Sequence, residues 1–167
     1  NQKYELEDKV LKYYPSQISS LEQRVFAFQK DVEHIKNSRN AGCELKGILY
    51  ADKMDADKAL MSVIKTINSE SPVLVGSYCG FSLSLSFDVF SDTCYAHLSH
   101  SQGYKVTMGE DIRGNITRLD NFLGGLPDKL ENCRNQLQDA KRQLETAAAE
   151  ANKPFEKEEE LKNKMTR

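Results

Sequence analysis

From Ile112 to Ala151 an apolar residue recurs at every third or fourth position without a miss. The series is Ile112, Ile116, Leu119, Leu123, Leu126, Leu130, Cys133, Leu137, Ala140, Leu144, Ala147 and Ala151. A period of 3.5 draws one stripe along a helix and commits that stripe to burial against another helix. A second seam runs near the other end of the chain, where Ile18, Leu21, Val25, Phe28, Val32 and Ile35 are spaced 3, 4, 3, 4, 3. Pro15-Ser16 is read as the start of that helix, and Asn37 to Gly42 as its exit. Gly124-Gly125-Leu126-Pro127 interrupts the longer seam. The pattern therefore predicts a short helix over 115–123 and a long one over 127–152, with Pro154 a further interruption. Leu161 and Met165 keep the phase beyond it. At about 1.5 Å per residue, residues 16–38 span roughly 34 Å and residues 127–152 roughly 39 Å. Two seams of similar length in one chain predict an antiparallel coiled-coil arm. Pairing between chains in a dimer is the alternative, and the intramolecular pair costs less loop entropy.

Between the seams the period changes to 2. Phe81-Ser82-Leu83-Ser84-Leu85-Ser86-Phe87 alternates apolar and hydroxyl side chains, as a strand with one buried face does. Strands are expected over 73–78, 81–87, 94–99 and 104–108, with a tight turn at Cys79-Gly80. Short connections make these an antiparallel meander. A further short strand is expected over 44–50. A helix over 53–68, capped by Asp52, carries Ala56, Leu60, Val63, Ile64 and Ile67 on one face and is the expected cover for the sheet. The fold class is thus α+β: a two-helix coiled-coil arm bearing a small meander packed on a helix. The divisions are 1–42 for the first arm segment, 43–126 for the head and 127–167 for the second arm segment.

The charge balance, 23 basic against 25 acidic residues, disfavours a protein that coats nucleic acid non-specifically. Cys43, Cys79, Cys94 and Cys133 are too far apart for a zinc pair and read as reduced thiols of a cytoplasmic protein. There is no signal peptide and no transmembrane run. A start without Met and an end inside the charged segment 156–167 suggest a piece of a longer protein.

No catalytic, cofactor or metal site can be nominated. His97 and His100 lie three apart, on opposite faces of a strand. The acidic run Glu156 to Glu160, with Lys162 and Lys164, reads as a solvated helix face. Ser82, Ser84 and Ser86 read as the wet side of a sheet. Arg113 and Arg118, near a helix start, have the chemistry to grip a phosphate or a partner carboxylate. The structural reading is favoured over that one: Asn115 caps a helix, while Arg118 and Asp120 tie it to the sheet. The candidate interaction residues are Tyr78, Phe81, Arg113 and Arg118.

Three strings carry a resemblance. They are Gly76-Ser77-Tyr78-Cys79-Gly80-Phe81, then Gly114-Asn115-Ile116-Thr117-Arg118-Leu119-Asp120-Asn121, then Lys153-Pro154-Phe155 with Glu158-Glu159-Glu160-Leu161. In this order the chain, over most of 15–167, resembles a segment of the large Swi/Snf-type helicase proteins of bacterial conjugative mobile elements, often fused to a DNA methyltransferase. The family commonly has Arg where this chain has Cys79. The resemblance implies a parent that is an ATP-dependent DNA helicase whose motor motifs lie elsewhere, so no catalytic residue carries over. It implies a non-catalytic accessory module that reaches DNA through the parent. A protein-interaction or oligomerisation module is the alternative, with another subunit or self-association through the coiled coil as its partner. Neither reading involves a membrane.

Overall fold

A computed structural model describes the backbone of residues 2–165 and the side chains of residues 2–152. The chain is α+β, with helices at both ends and a six-stranded antiparallel sheet between them. It divides into two compact units. One joins the residues up to Phe26 with those from Leu130 on; the other is the continuous segment Ala27–Lys129.

The helices of the first unit follow the seams. α1 (Gln2–Asp8) passes through a π-helical turn, Lys9–Tyr13, into α2 (Tyr14–Ser38). Pro15 was expected to start a new helix, but the helical path continues through it. A proline ring clashes with the carbonyl four residues back, here Leu11. The wider π turn lies just there, with the Tyr14 amide donating to the Lys9 carbonyl. α5 (Leu126–Met165) likewise runs through Pro154, against expectation. Having no N–H, Pro154 makes no bond to the Glu150 carbonyl. The seam positions are the shielded ones. Val25, Leu130, Cys133, Ala140 and Ala147 are buried, while Ile18, Leu21, Leu137, Leu144 and Ala151 are half-buried. The side chains of the acidic run 156–160 and of Lys162 and Lys164 lie outside the described residues.

In the second unit the strands are β1 (Cys43–Leu45), β2 (Ile48–Tyr50), β3 (Val73–Tyr78), β4 (Phe81–Asp88), β5 (Thr93–Ser99) and β6 (Gly103–Thr107). Their order is β2-β1-β3-β4-β5-β6. The expected single strand over 44–50 is a hairpin. Lys46 (φ 51°) and Gly47 (φ 84°) turn the chain over and pair Leu45 with Ile48. Two successive positive φ values suit the twist of a two-residue hairpin, and Lys accepts the first at some cost in strain.

The sheet has two unlike faces. Cys43, Leu45, Tyr78, Phe81, Leu83, Leu85, Ala96, Leu98, Tyr104 and Val106 are buried on one. Ser77, Ser82, Ser84, Ser86, Tyr95, His97, Ser99 and Lys105 stand on the other, as the strand register requires. At Gly76 the neighbouring strand comes so close that a Cβ would sit 1.9 Å from the Glu44 carbonyl oxygen. A register shift between Leu74 and Gly76 marks the same spot.

Three helical pieces meet the apolar face. α3 (Lys53–Ile64) lies near β1 and β2 and is shorter than the expected 53–68; Lys65 already serves as its C-cap. Asp52 caps it as expected, accepting from the Met54 amide at 3.0 Å. α4 (Asn115–Gly124) packs on α3 and β6. The last turns of α2 supply Phe28, 6.0 Å from the Tyr104 ring, and His34, 5.4 Å from the Phe81 ring. They also supply Asp31, which is fully buried. Its carboxylate accepts from the Ser101 amide (2.8 Å), the Gln102 amide (3.2 Å) and the Tyr104 hydroxyl (2.6 Å). A buried carboxylate is tolerable only with such partners. Asp31 thereby pins the β5–β6 turn to α2.

Candidate functional site

The turn between β3 and β4 is where the candidate residues begin to converge. Cys79 (φ 48°) and Gly80 (φ 83°) form it, as expected for a two-residue hairpin. Gly80 is needed twice. Its φ is left-handed, and a Cβ there would lie 2.6 Å from His34 Nε2. The Gly80 carbonyl is 2.9 Å from that nitrogen. The His34 ring stacks on His100 at 3.7 Å, nearly parallel, and Phe81 meets both rings edge-on.

Beside the turn lies a cleft of about 220 Å³, bordered by Arg39, Lys53, Tyr78, Cys79 and Asp120. Asp120 on α4 is its hub. The Tyr78 hydroxyl donates to Asp120 Oδ1, and Lys53 Nζ sits 2.8 Å from Oδ2. Three elements, β3, α3 and α4, are thus tied at one carboxylate. Burial, followed by the hydrogen bond to Asp120, raises the pKa of the Tyr78 phenol and keeps it protonated. The same carboxylate, through its hydrogen bond and charge, raises Lys53. Burial and then the Asp120 charge raise the Cys79 thiol, outweighing the opposing influence of Tyr78 and Arg39. Cys43 is pushed up to about 11 by burial, then by Cys79 and Asp57. Each group is therefore held in its resting protonation state. A nucleophile or general base would need the reverse shift.

The four candidate residues have different fates. Phe81 is fully buried and presents no surface. Tyr78 is buried, with its hydroxyl engaged by Asp120. Arg113 is exposed in the loop between β6 and α4. Arg118 turns back on that loop. Its Nη1 donates to Asn115 Oδ1 at 2.8 Å, and its guanidinium lies so close to Gly109 that a Cβ there would be 2.4 Å away. So α4 reaches the β3–β4 turn through Asp120, as the structural reading expected, while Arg118 braces the preceding loop. The cap differs from expectation. Gly114 is the N-cap residue, and the buried Asp57 of α3 accepts from the Ile116 amide at 2.9 Å. Asn115 instead exchanges two hydrogen bonds with the Gly109 backbone.

The serine face is not uniformly wet. Ser82 is exposed and Ser84 half-buried, but Ser86 is buried with its hydroxyl 2.7 Å from His97 Nε2. Burial first, and the nearby Lys105 second, lower the His97 pKa, so Ser86 can donate to a neutral imidazole. His97 and His100 are therefore engaged separately, one by Ser86 and the other by His34. Among the described residues no group of three or more His, Cys, Asp or Glu is placed to hold a metal ion. Nor is any helix among them long and apolar enough to cross a membrane.

Asp31, Asp57 and Lys53 form the head's main polar ties, and sequence reasoning gave none of the three that role. Their partners lie tens of residues away, so no local spacing signals them. Asp31 alone left a trace, as a charge between the apolar positions Phe28 and Val32 of a seam. Compared with protein-family models, with curated proteins and with solved structures, the chain matches none.

Proposed function

We propose that this chain is a non-catalytic accessory module of a DNA-processing helicase. In this reading α2 and α5 pair through their seams as an antiparallel coiled-coil arm, and Ala27–Lys129 is the head it carries. The head meets DNA or another subunit while the motor lies elsewhere in a longer protein. One observation carries the reading: two of the strings that resemble the helicase proteins are spent on each other. Tyr78 of the first bonds Asp120 of the second. Gly76 makes room for the neighbouring strand, and Asn115 and Arg118 fasten the loop at Gly109. Residues used this way build a shape, which suits a positioning part.

Two measurements test it. The coding sequence on either side of this segment should continue in frame into helicase motor motifs; an open reading frame confined to these residues would overturn the proposal. Fluorescence anisotropy with duplex and single-stranded DNA, at low and moderate salt, then decides what the head touches. With near-neutral charge, binding weaker than roughly tens of micromolar is expected, which assigns the head to a subunit. Salt-sensitive binding tighter than that assigns it to DNA.

A further inference from the structure

The Phe90 ring is 95% exposed at the tip of the β4–β5 turn, with Val89 beside it 63% exposed. The turn is fastened from within. Asp88 accepts from the Phe90 amide at 3.1 Å and from the Ser91 hydroxyl at 3.0 Å, and the Thr93 hydroxyl donates to the Ser91 carbonyl at 2.8 Å. Phe90 is thus held ready, and docking it costs little further ordering.

Phe90 borders a cleft of about 360 Å³ on the serine-bearing face of the sheet. Ser86, Asp88, Tyr95 and Lys105 share that face by strand register. Glu70, from the segment before β3, stands at the same border. A cation of the chain's own is already drawn to it. Lys105 Nζ lies 3.9 Å from the centroid of the Tyr95 ring. It makes no ion pair, although two carboxylates border the same cleft, so the π face is what engages it. Both Asp88 oxygens accept bonds from the turn. The exposed Glu70 carboxylate has no ion pair among the described residues. The cleft therefore offers two aromatic rings and an unpaired carboxylate, with two negative groups to one positive.

We propose that this cleft receives an arginine side chain of a partner protein, its guanidinium displacing Lys105 from the Tyr95 ring and pairing with the Glu70 carboxylate. A planar guanidinium stacks on a ring and forks onto a carboxylate at once, which an ammonium does less well. A phosphate is disfavoured, because the carboxylates outnumber the ammonium. A free cation would leave Val89 and Phe90 in water, whereas a protein surface covers them. The inference uses only residues of the head and stands whether or not the helicase reading does.

Proton–nitrogen correlation spectra of the full chain test it, by titration with capped Leu-Arg-Leu, capped Leu-Glu-Leu and putrescine. The arginine peptide should shift the amides of residues 86–90 and 95, with a dissociation constant in roughly the millimolar range, as one exposed side chain binds. Lys105→Ala removes the resident competitor and should tighten that binding about 3-fold or more. Glu70→Gln and Phe90→Ala should each weaken it about 3-fold or more. Their urea midpoints should be unchanged, because both side chains are exposed. Amides that stay in place at about 20 mM arginine peptide, well above a millimolar constant, overturn the proposal. So does Lys105→Ala that leaves binding unchanged or weaker, and so does a peptide indifferent to Glu70→Gln and Phe90→Ala, which sits elsewhere. Tighter binding of the glutamate peptide would make this an anion site, and tighter binding of putrescine would give the cleft to a free polyamine; either result overturns the arginine assignment.

Discussion

Removing the Asp31 carboxylate should unfasten the β5–β6 turn from the last turns of α2. The side chain is fully buried and accepts three hydrogen bonds, from the Ser101 and Gln102 amides and the Tyr104 hydroxyl. Each bond to a charged group is worth about 1.5–3 kcal/mol net, so a gross sum approaches roughly 5–9 kcal/mol. Two effects reduce it. Burying the carboxylate cost several kcal/mol to begin with, and that cost vanishes with it. The turn amides can also regain water, since Ser101 is exposed. Asp31→Ala should therefore cost about 3 kcal/mol. Asp31→Asn keeps one acceptor but aims an amide N–H₂ at converging donors, and should cost about 2 kcal/mol. Tyr104→Phe should be coupled to either change by about 1–2 kcal/mol in a double-mutant cycle. Urea unfolding followed by circular dichroism reads these numbers, and a loss of 2–3 kcal/mol moves the midpoint by roughly 1–2 M. If both Asp31 variants unfold within about 0.5 kcal/mol of wild type, Asp31 does not hold the turn and the reasoning fails.

Three further outcomes follow from the same geometry. Gly76→Ala drives a Cβ to 1.9 Å from the Glu44 carbonyl oxygen and should destabilise by about 3 kcal/mol or more, whereas Gly103→Ala, with nothing within 4 Å, should shift the urea midpoint little; equal effects would refute the close approach. Of the four free thiols Cys79 alone is not buried, so an alkylating reagent at neutral pH should label it first and slowly, and reach Cys43, Cys94 and Cys133 only on unfolding; rapid labelling of Cys43 would contradict a thiol pushed up to about 11. The fold depresses the pKa of His97 below its unfolded value of about 6.5, so this histidine's contribution is complete above that pH and is lost as pH falls toward the folded value. His97→Gln should accordingly narrow the drop in urea midpoint between about pH 7.5 and 5.5, and an unchanged drop would remove His97 as a source.

Much of the fold could be read from periodicity, because burial acts on local spacing. The seams, the 81–87 alternation and the Cys79-Gly80 turn each state their structure within a few residues. The β1–β2 hairpin was missed because Lys46 occupies a left-handed position that usually advertises itself with Asn, Asp or Gly. Pro15 and Pro154 misled for a related reason. Proline's local cost is known, but a π turn one step earlier lets α2 take it without a break. The candidate site was harder to read, since its chemistry is made by distant partners. Tyr78 and Asp120 are 42 residues apart, and Asp31 and Tyr104 are 73 apart. Motif recognition found Tyr78, Phe81 and Arg118 but not their roles, because residues that recur for packing look the same in a sequence as residues that recur for binding. Phe90 went unremarked because an apolar residue in a loop has no periodicity to violate.

Hydrogen exchange measured by mass spectrometry at two concentrations puts the arm itself to the test. Isolated helices of this length fray and exchange fast in water, so strong protection requires a partner. If α2 and α5 pair within one chain, amides over 16–26 and 130–150 should be strongly protected, and dilution from about 100 µM to 1 µM, enough to dissociate a weak dimer, should leave that protection unchanged. Protection that disappears on dilution would place the pairing between chains. Absence of protection at either concentration would contradict the coiled-coil arm altogether.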